Sequence, residues 1–226
     1  MDTKGNPTCV GIILDGNRTW AKNRRLPHLE GHRRGRDRVV ECARALLDRG
    51  IPHLAVFAFS TENWARKAEE VSYMMGLFRE SAKMELRKLS KEGIRLRFVG
   101  QRGRFPEDIQ DTMRELELET ARNIRLTLWM CVSYGGRAEI AEAARSAARH
   151  GEVTEETIGR NLWSAEMPDC DLIIRTSGQK RLSGFLTWKS VYAELFFLDT
   201  LWPDFDEQML DSVLVEYAKR ERRFGR

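Results

Sequence analysis

The sequence predicts an α/β protein with a mostly parallel central sheet flanked by helices. Three observations predict it. Short apolar runs of strand length alternate with segments of helical periodicity. Several of the helical segments stop at a glycine. Four apolar runs end abruptly in polar clusters, as buried parallel strands do at the carboxyl edge where open α/β sheets bind ligands.

Taken in order, the first strand at 10–14 runs into Asp15-Gly16-Asn17. A helix over 37–49 carries Val40, Ala43 and Leu47 on one face and stops at Gly50. The second strand, 54–59, leads to Ser60-Thr61-Glu62-Asn63-Trp64. A long helix over 69–92 stops at Gly93, and a third strand follows at 95–99. The helix over 106–122 places Pro106 in its first turn, where its missing N–H leaves no bond unmade. The fourth strand, 126–132, leads to Ser133-Tyr134-Gly135-Gly136-Arg137 and a helix over 138–150. The fifth, 172–174, leads to Arg175-Thr176-Ser177-Gly178. A weaker sixth at 195–198 precedes a closing helix over 206–222. No repeat, low-complexity segment or linker divides the chain, so residues 1–226 are expected to form one domain.

Composition excludes several classes. With 42% hydrophobic and 32% charged residues, the chain reads as globular. No apolar run reaches the length of a membrane span, and the first residues lack the apolar core of a signal peptide. The expected location is therefore the cytoplasm. Basic runs occur at Lys22, Arg24, Arg25, Arg33, Arg34 and Arg36, and again at the carboxyl terminus. A net charge of only +4 with 34 acidic residues argues against a nucleic-acid binder. Cys9, Cys42, Cys131 and Cys170 are far apart and show no ligand spacing, so they are expected to be buried free thiols.

In a parallel sheet the four polar clusters fall on one edge. Together they read as a site for a multiply charged anion. Gly16 lets backbone N–H groups approach such an anion. Arg175 and Arg181 offer guanidinium forks, and Ser177 and Ser183 add hydroxyl donors. A carboxylate at Asp15 in such a place makes sense with a divalent cation between it and the phosphates.

These residues resemble the cis-prenyltransferase family, whose best-known members are undecaprenyl diphosphate synthases. The resemblance runs nearly end to end. It is carried by Asp15-Gly16-Asn17 with Trp20-Ala21, then Gly31-His32 and Gly35, then Phe59-Ser60-Thr61-Glu62-Asn63-Trp64 with Arg66 and Glu70-Val71. Tyr134-Gly135-Gly136-Arg137, Arg175-Thr176, Arg181-Leu182-Ser183, Tyr192-Ala193-Glu194-Leu195 and Leu201-Trp202-Pro203-Asp204-Phe205 complete it. The resemblance implies a homodimer with a hydrophobic tunnel. It also implies Mg2+-dependent transfer of an allylic prenyl group between isoprenoid diphosphates. By that resemblance Asp15 would hold Mg2+ against the allylic diphosphate, with Gly16, Asn17, Arg18, Thr19, Trp20 and His32 around it. Ser60, Asn63 and Trp64 would sit at the bond-forming centre, with Arg66 and Ser133 nearby. Arg175, Gln179, Arg181 and Ser183 would grip the acceptor diphosphate, and Glu194 would support the metal or the arginines. Arg223 and Gly225 in the terminal segment would reach the partner subunit's site.

The chain departs from the family pattern at the same edge. Thr19 and His28 stand where arginines are usual, with Arg18 or Arg24 as replacements. Ser133 and Gly184 stand at positions usually held by Asn, Ser177 at a usual Gly and Gln179 at a usual Glu. Alternation places Trp129 and Cys131 on the face of Ser133, so Trp129 is expected to plug the tunnel, with Tyr73 and Met74 adding bulk. These departures lead to the expectation of a short, irregular, branched (lavandulyl-type) or cyclised product. An ordinary cis chain-elongating synthase using isopentenyl diphosphate is the alternative, and a non-catalytic partner subunit the second.

Overall fold

The computed structural model describes residues 5–220. Six strands form one sheet: β1 (Cys9–Ile13), β2 (His53–Ser60), β3 (Ile94–Val99), β4 (Leu126–Tyr134), β5 (Leu172–Arg175) and β6 (Glu194–Phe197). Their order is β3-β4-β2-β1-β5-β6, and every neighbouring pair is parallel. β1 is buried at every position, as its unbroken apolar run requires of a central parallel strand. Ile13 stands level with Phe57 of β2 and Arg175 of β5, so the loops after these strands open on one edge.

Among the described residues, seven α-helices connect the strands and an eighth follows the last: α1 (Asn17–Asn23), α2 (His28–Asp48), α3 (Ala68–Lys83), α4 (Glu85–Lys91), α5 (Glu107–Glu119), α6 (Gly136–His150), α7 (Glu155–Asn161) and α8 (Glu207–Lys219). The expected strands are all present, within two residues at each end. The helices differ more. α2 begins nine residues before the expected 37, because Gly31 and Gly35 weaken the helical signal there. Both glycines serve a close approach of α1. A Cβ on Gly31 would lie 2.0 Å from the Asn17 carbonyl oxygen, and one on Gly35 2.2 Å from Asn17 Oδ1. The expected helix over 69–92 is two helices, broken at Met84, where no Gly or Pro marks the site. Pro106 is the extended N-cap of α5, not part of its first turn. The short helices α1 and α7 carry too little periodicity to stand out, although Thr154 caps α7 by accepting the Thr157 N–H at 3.2 Å.

The sheet buries a core on each face. One joins Val10, Ile12, Leu54, Val56, Leu128 and Val132 to the apolar sides of α2, α4, α5 and α8. The other joins Cys9, Ile13, Ala55, Trp129, Cys131 and Tyr134 to Met167, Cys170, Phe185 and Leu186. The four cysteines are buried free thiols, as expected, and burial pushes the Cys42 thiol up to about 12. Among the described residues no helix is long and apolar enough to cross a membrane.

Candidate active site

A cavity of about 850 Å3 opens at the carboxyl edge of the sheet and runs along the face covered by α2, α3 and α4. Its mouth is polar, with Asp15, Asn17, His32, Asn63, Arg66, Arg137, Arg175 and Ser183. Its depth is mostly apolar, with Val39, Val40, Phe59, Met74, Leu77, Phe78, Leu86, Met130 and Val132.

Asp15 leaves β1 in a tight turn, its N–H donating to the Ile13 carbonyl at 3.0 Å. Gly16 then adopts φ 111°, a left-handed conformation open to glycine, and starts α1. Arg175, the last residue of β5, donates to Asp15 Oδ2 from Nε at 2.9 Å and from Nη2 at 2.6 Å. Its Nη1 donates to Ser183 Oγ at 2.8 Å and to the Arg181 carbonyl. Arg175 is only 4% exposed, so its charge is tolerable only with such a carboxylate and full hydrogen bonding. Asp15 Oδ1 accepts no hydrogen bond among the described residues and remains available at the mouth. Thr176 Oγ1 and the Trp202 N–H hold the Asp15 carbonyl at 2.7 and 2.9 Å.

Asn17 donates from Nδ2 to the Leu14 carbonyl at 3.1 Å, while its buried Oδ1 has no hydrogen-bond partner among the described residues. His32 is 7% exposed, with Nε2 lying 3.4 Å from Glu70 Oε1. Burial lowers its pKa, Arg66 lowers it further, and Glu70 opposes both. Arg66 donates to the same Glu70 oxygen at 3.1 Å. Ser60 and Asn63 cap the turn Thr61–Ala65 reciprocally, with the Ser60 N–H on Asn63 Oδ1 at 3.1 Å.

Several expected site residues stand elsewhere. Ser133 is fully buried in a left-handed conformation, φ 46°, and its Oγ accepts the Trp64 indole N–H at 2.9 Å. It fixes Trp64 instead of facing the cavity. Trp64 packs edge-on against Phe59 and Phe105, under Arg104, in a second groove beside the mouth. Trp20 donates to Asp204 Oδ1 at 2.7 Å and is covered by Arg24, whose own partner is Asp204. Arg24 is therefore paired with Asp204 and does not line the cavity. Arg18 and Thr19 are exposed on α1 and do not line the cavity. Arg181 is exposed, with its Nη1 on Gln179 Oε1 at 2.6 Å. Glu194 begins β6 level with Leu172, three residues below Arg175, roughly 10 Å from the Asp15 edge at strand spacing. Its carboxylate accepts from Arg220 at 2.7 Å, so one chain does not bring Glu194 to Asp15. Arg223 and Gly225 lie outside the described residues.

The expected plug is also displaced. Trp129 lies on the opposite face of the sheet from the cavity, with its indole N–H on His53 Nδ1 at 3.3 Å. Alternation fails as a guide because β2 bulges between Phe57 and Phe59 and the β4 backbone turns left-handed at Ser133. Met130 and Val132 line the cavity instead. The Tyr73 hydroxyl points to the Leu29 carbonyl at 3.3 Å and is outside the lining, whereas Met74 is part of it. Sequence reasoning missed Arg36, which lines the cavity one helical turn after His32. The four-residue spacing on α2 was the available signal.

Residues 13–225 match the family described as "Putative undecaprenyl diphosphate synthase". The chain belongs to the cis-prenyltransferase family. It is 45% identical to an isoprenyl transferase of Neisseria gonorrhoeae over 97% of this chain and 90% of that one. It is 44% identical to a trans,polycis-polyprenyl diphosphate synthase ((2Z,6E)-farnesyl diphosphate specific) of Thermobifida fusca, over 97% and 80%. The solved lavandulyl diphosphate synthase from Lavandula x intermedia, in complex with dimethylallyl diphosphate, superposes with a TM-score of 0.94. It is 33% identical, with 98% of this chain and 99% of that one covered. A probable undecaprenyl diphosphate synthase from Campylobacter jejuni gives 0.83 at 30% identity, covering 97% and 99%. As a cis-prenyltransferase, the chain is an enzyme with its polar mouth and apolar cavity on one continuous path.

Proposed function

We propose that this cis-prenyltransferase extends a short allylic diphosphate with isopentenyl diphosphate and houses the growing chain in the cavity. The cavity carries the reading. At about 850 Å3 it lies near the top of the roughly 300–1,000 Å3 range of pockets that enclose drug-sized ligands. That volume takes in both the polar mouth and the apolar depth, and neither Trp129 nor Tyr73 lines it, although Met74 does.

In this reading the allylic C–O bond breaks, and diphosphate leaves with its electron pair. The acceptor double bond attacks the allylic cation, and the new cation gives up a proton to an oxygen of the released diphosphate. Arg66 and Arg137 place fixed positive charge at the mouth, where the leaving diphosphate develops negative charge, and Arg175 lies beside them for the acceptor diphosphate. Asn17 and Asn63 add uncharged polar groups at the mouth, and the apolar depth keeps water from the cation. The donor set fits Mg2+ shared with substrate, not a cage made by protein alone. No cluster of three or more His, Cys, Asp or Glu able to hold a metal occurs among the described residues, while Asp15 Oδ1 faces the mouth. Asp15 would hold Mg2+, which supplies Lewis-acid neutralisation of the diphosphate. The reading includes a homodimer in which the terminal Arg223 and Gly225 complete the partner's site.

A second reading, irregular coupling of dimethylallyl units, is favoured by the fold similarity of 0.94 to the lavandulyl enzyme. Incubation with dimethylallyl, geranyl or farnesyl diphosphate, with and without isopentenyl diphosphate, separates the two. Mass spectrometry and NMR of the dephosphorylated products should show linear cis-extended chains that need isopentenyl diphosphate. A branched ten-carbon product from dimethylallyl diphosphate alone would establish the second reading. Asp15→Ala should lose nearly all turnover in either case.

A further inference from the structure

Beyond the mouth, the wall of the cavity carries one permanent cation. Arg36 lies on the face of α2 that also presents His32, Gly35, Val39 and Val40. Its side chain is 15% exposed, and a guanidinium cannot shed its charge at any ordinary pH. A charge so placed needs carboxylates. Asp37, its neighbour on α2, takes Nε and Nη2 at 2.9 and 2.8 Å. Nη1 reaches across to Glu80 of α3, with 3.1 Å between Nη1 and Oε1.

Glu80 is not itself part of the lining but is flanked on α3 by Leu77, Phe78 and Ser81, which line the deeper cavity. Two other polar links join α2 to α3: His32 to Glu70 at 3.4 Å, and the Tyr73 hydroxyl to the Leu29 carbonyl at 3.3 Å. Both are nearer the start of α3. Glu80 lies ten residues past Glu70, nearly three helical turns further along. α3 then ends at Met84 with a backbone break. The Arg36–Glu80 pair is thus the polar link that holds the deep half of α3 to α2, just before the helix loses continuity.

We infer that the Arg36–Glu80 pair is a specificity determinant that fixes the width of the cavity at mid-depth and thereby limits the length of the prenyl chain. The inference rests on the chain-extension reading above. With the pair intact, α3 is held in and the guanidinium borders the path of the chain. Without it, α3 can move outward and the path widens, so more isoprenoid units fit before growth stops. Glu80 is half exposed and removable without leaving a buried carboxylate.

The test is the product-length distribution of wild type, Arg36→Met, Glu80→Gln and the double variant. Each is assayed with farnesyl diphosphate and excess isopentenyl diphosphate. Each single variant should shift the principal product longer by at least one isoprenoid unit. The double variant should shift no further than the larger single. Should Arg36→Met fail to fold, Glu80→Gln alone carries the comparison. Wild-type elongation with unchanged or shorter products in the variants would overturn the inference alone. Additive shifts would show two separate effects and overturn the pairing. A wild type that adds no isopentenyl unit would overturn the extension reading, and this inference with it.

Discussion

Asp15 and Arg175 show how a single residue type acquires its role from position. Arg175 ends β5 level with Ile13, the last residue of β1, and the tight turn that follows Ile13 sets Asp15 against its guanidinium. The sequence made both legible, because an apolar run that stops at a charged residue announces the strand end. Side-chain direction was less legible. Trp129 was expected in the cavity by counting back from Ser133, yet Ser133 has φ 46° and breaks the count. Trp129 instead belongs to the core on the other face and is 5% exposed. Trp129→Ala should therefore cost about 3–5 kcal/mol of stability, as deletion of a buried aromatic does. Equilibrium unfolding in urea measures that loss. The product distribution should stay as in wild type, and a longer product would return the indole to the cavity wall.

At the scale of elements, strands were found because each is a short apolar run bounded by turn residues. Helix ends were missed where glycines serve packing. Gly31 and Gly35 look like interruptions in a string of residues, but they let the α1 backbone rest on α2 and so carry Asn17 to the mouth. A matched pair of substitutions separates packing from propensity. Gly31→Ala would drive a Cβ to 2.0 Å from the Asn17 carbonyl, with the Asn17 carbonyl carbon at 2.7 Å, so α1 must move. Gly76, inside α3, is exposed and has nothing within 4 Å of an added Cβ. There alanine should gain about 0.5–1 kcal/mol from helix propensity. Thermal unfolding should show the melting temperature falling for Gly31→Ala, with activity lost, and rising for Gly76→Ala. A rise in both would mean that α1 yields freely to α2.

For the whole molecule, the sheet order places four polar clusters on one edge, and that edge was readable because each cluster follows its own strand. The cavity beneath it was not. Its wall is assembled from β1, β2, β4, α2, α3 and α4, and no local pattern records which face of each element meets the others. The same assembly buries two imidazoles whose titration couples acidity to folding. Burial lowers the pKa of His53, whose Nδ1 accepts the Trp129 indole N–H, and of His32, where Arg66 adds to the effect and Glu70 opposes it. Above about pH 6.5 both rings are neutral folded or unfolded, and their contribution is fully present. Below that pH the unfolded chain binds protons that the folded chain refuses, so stability falls as pH falls. The ion-paired carboxylates act in a separate window. Arg44 lowers the pKa of Glu92, Arg79 that of Asp108 and Arg49 that of Asp211, so their contribution is lost only below about pH 4.5. Melting temperature should therefore be flat from pH 8 to 7 and should drop between pH 6.5 and 5, before the carboxylates titrate. His53→Gln, which cannot titrate and can still accept from the indole through its amide oxygen, should flatten part of that drop. A profile that stays level down to pH 5, or the same drop in His53→Gln, would show that His53 does not couple protonation to folding.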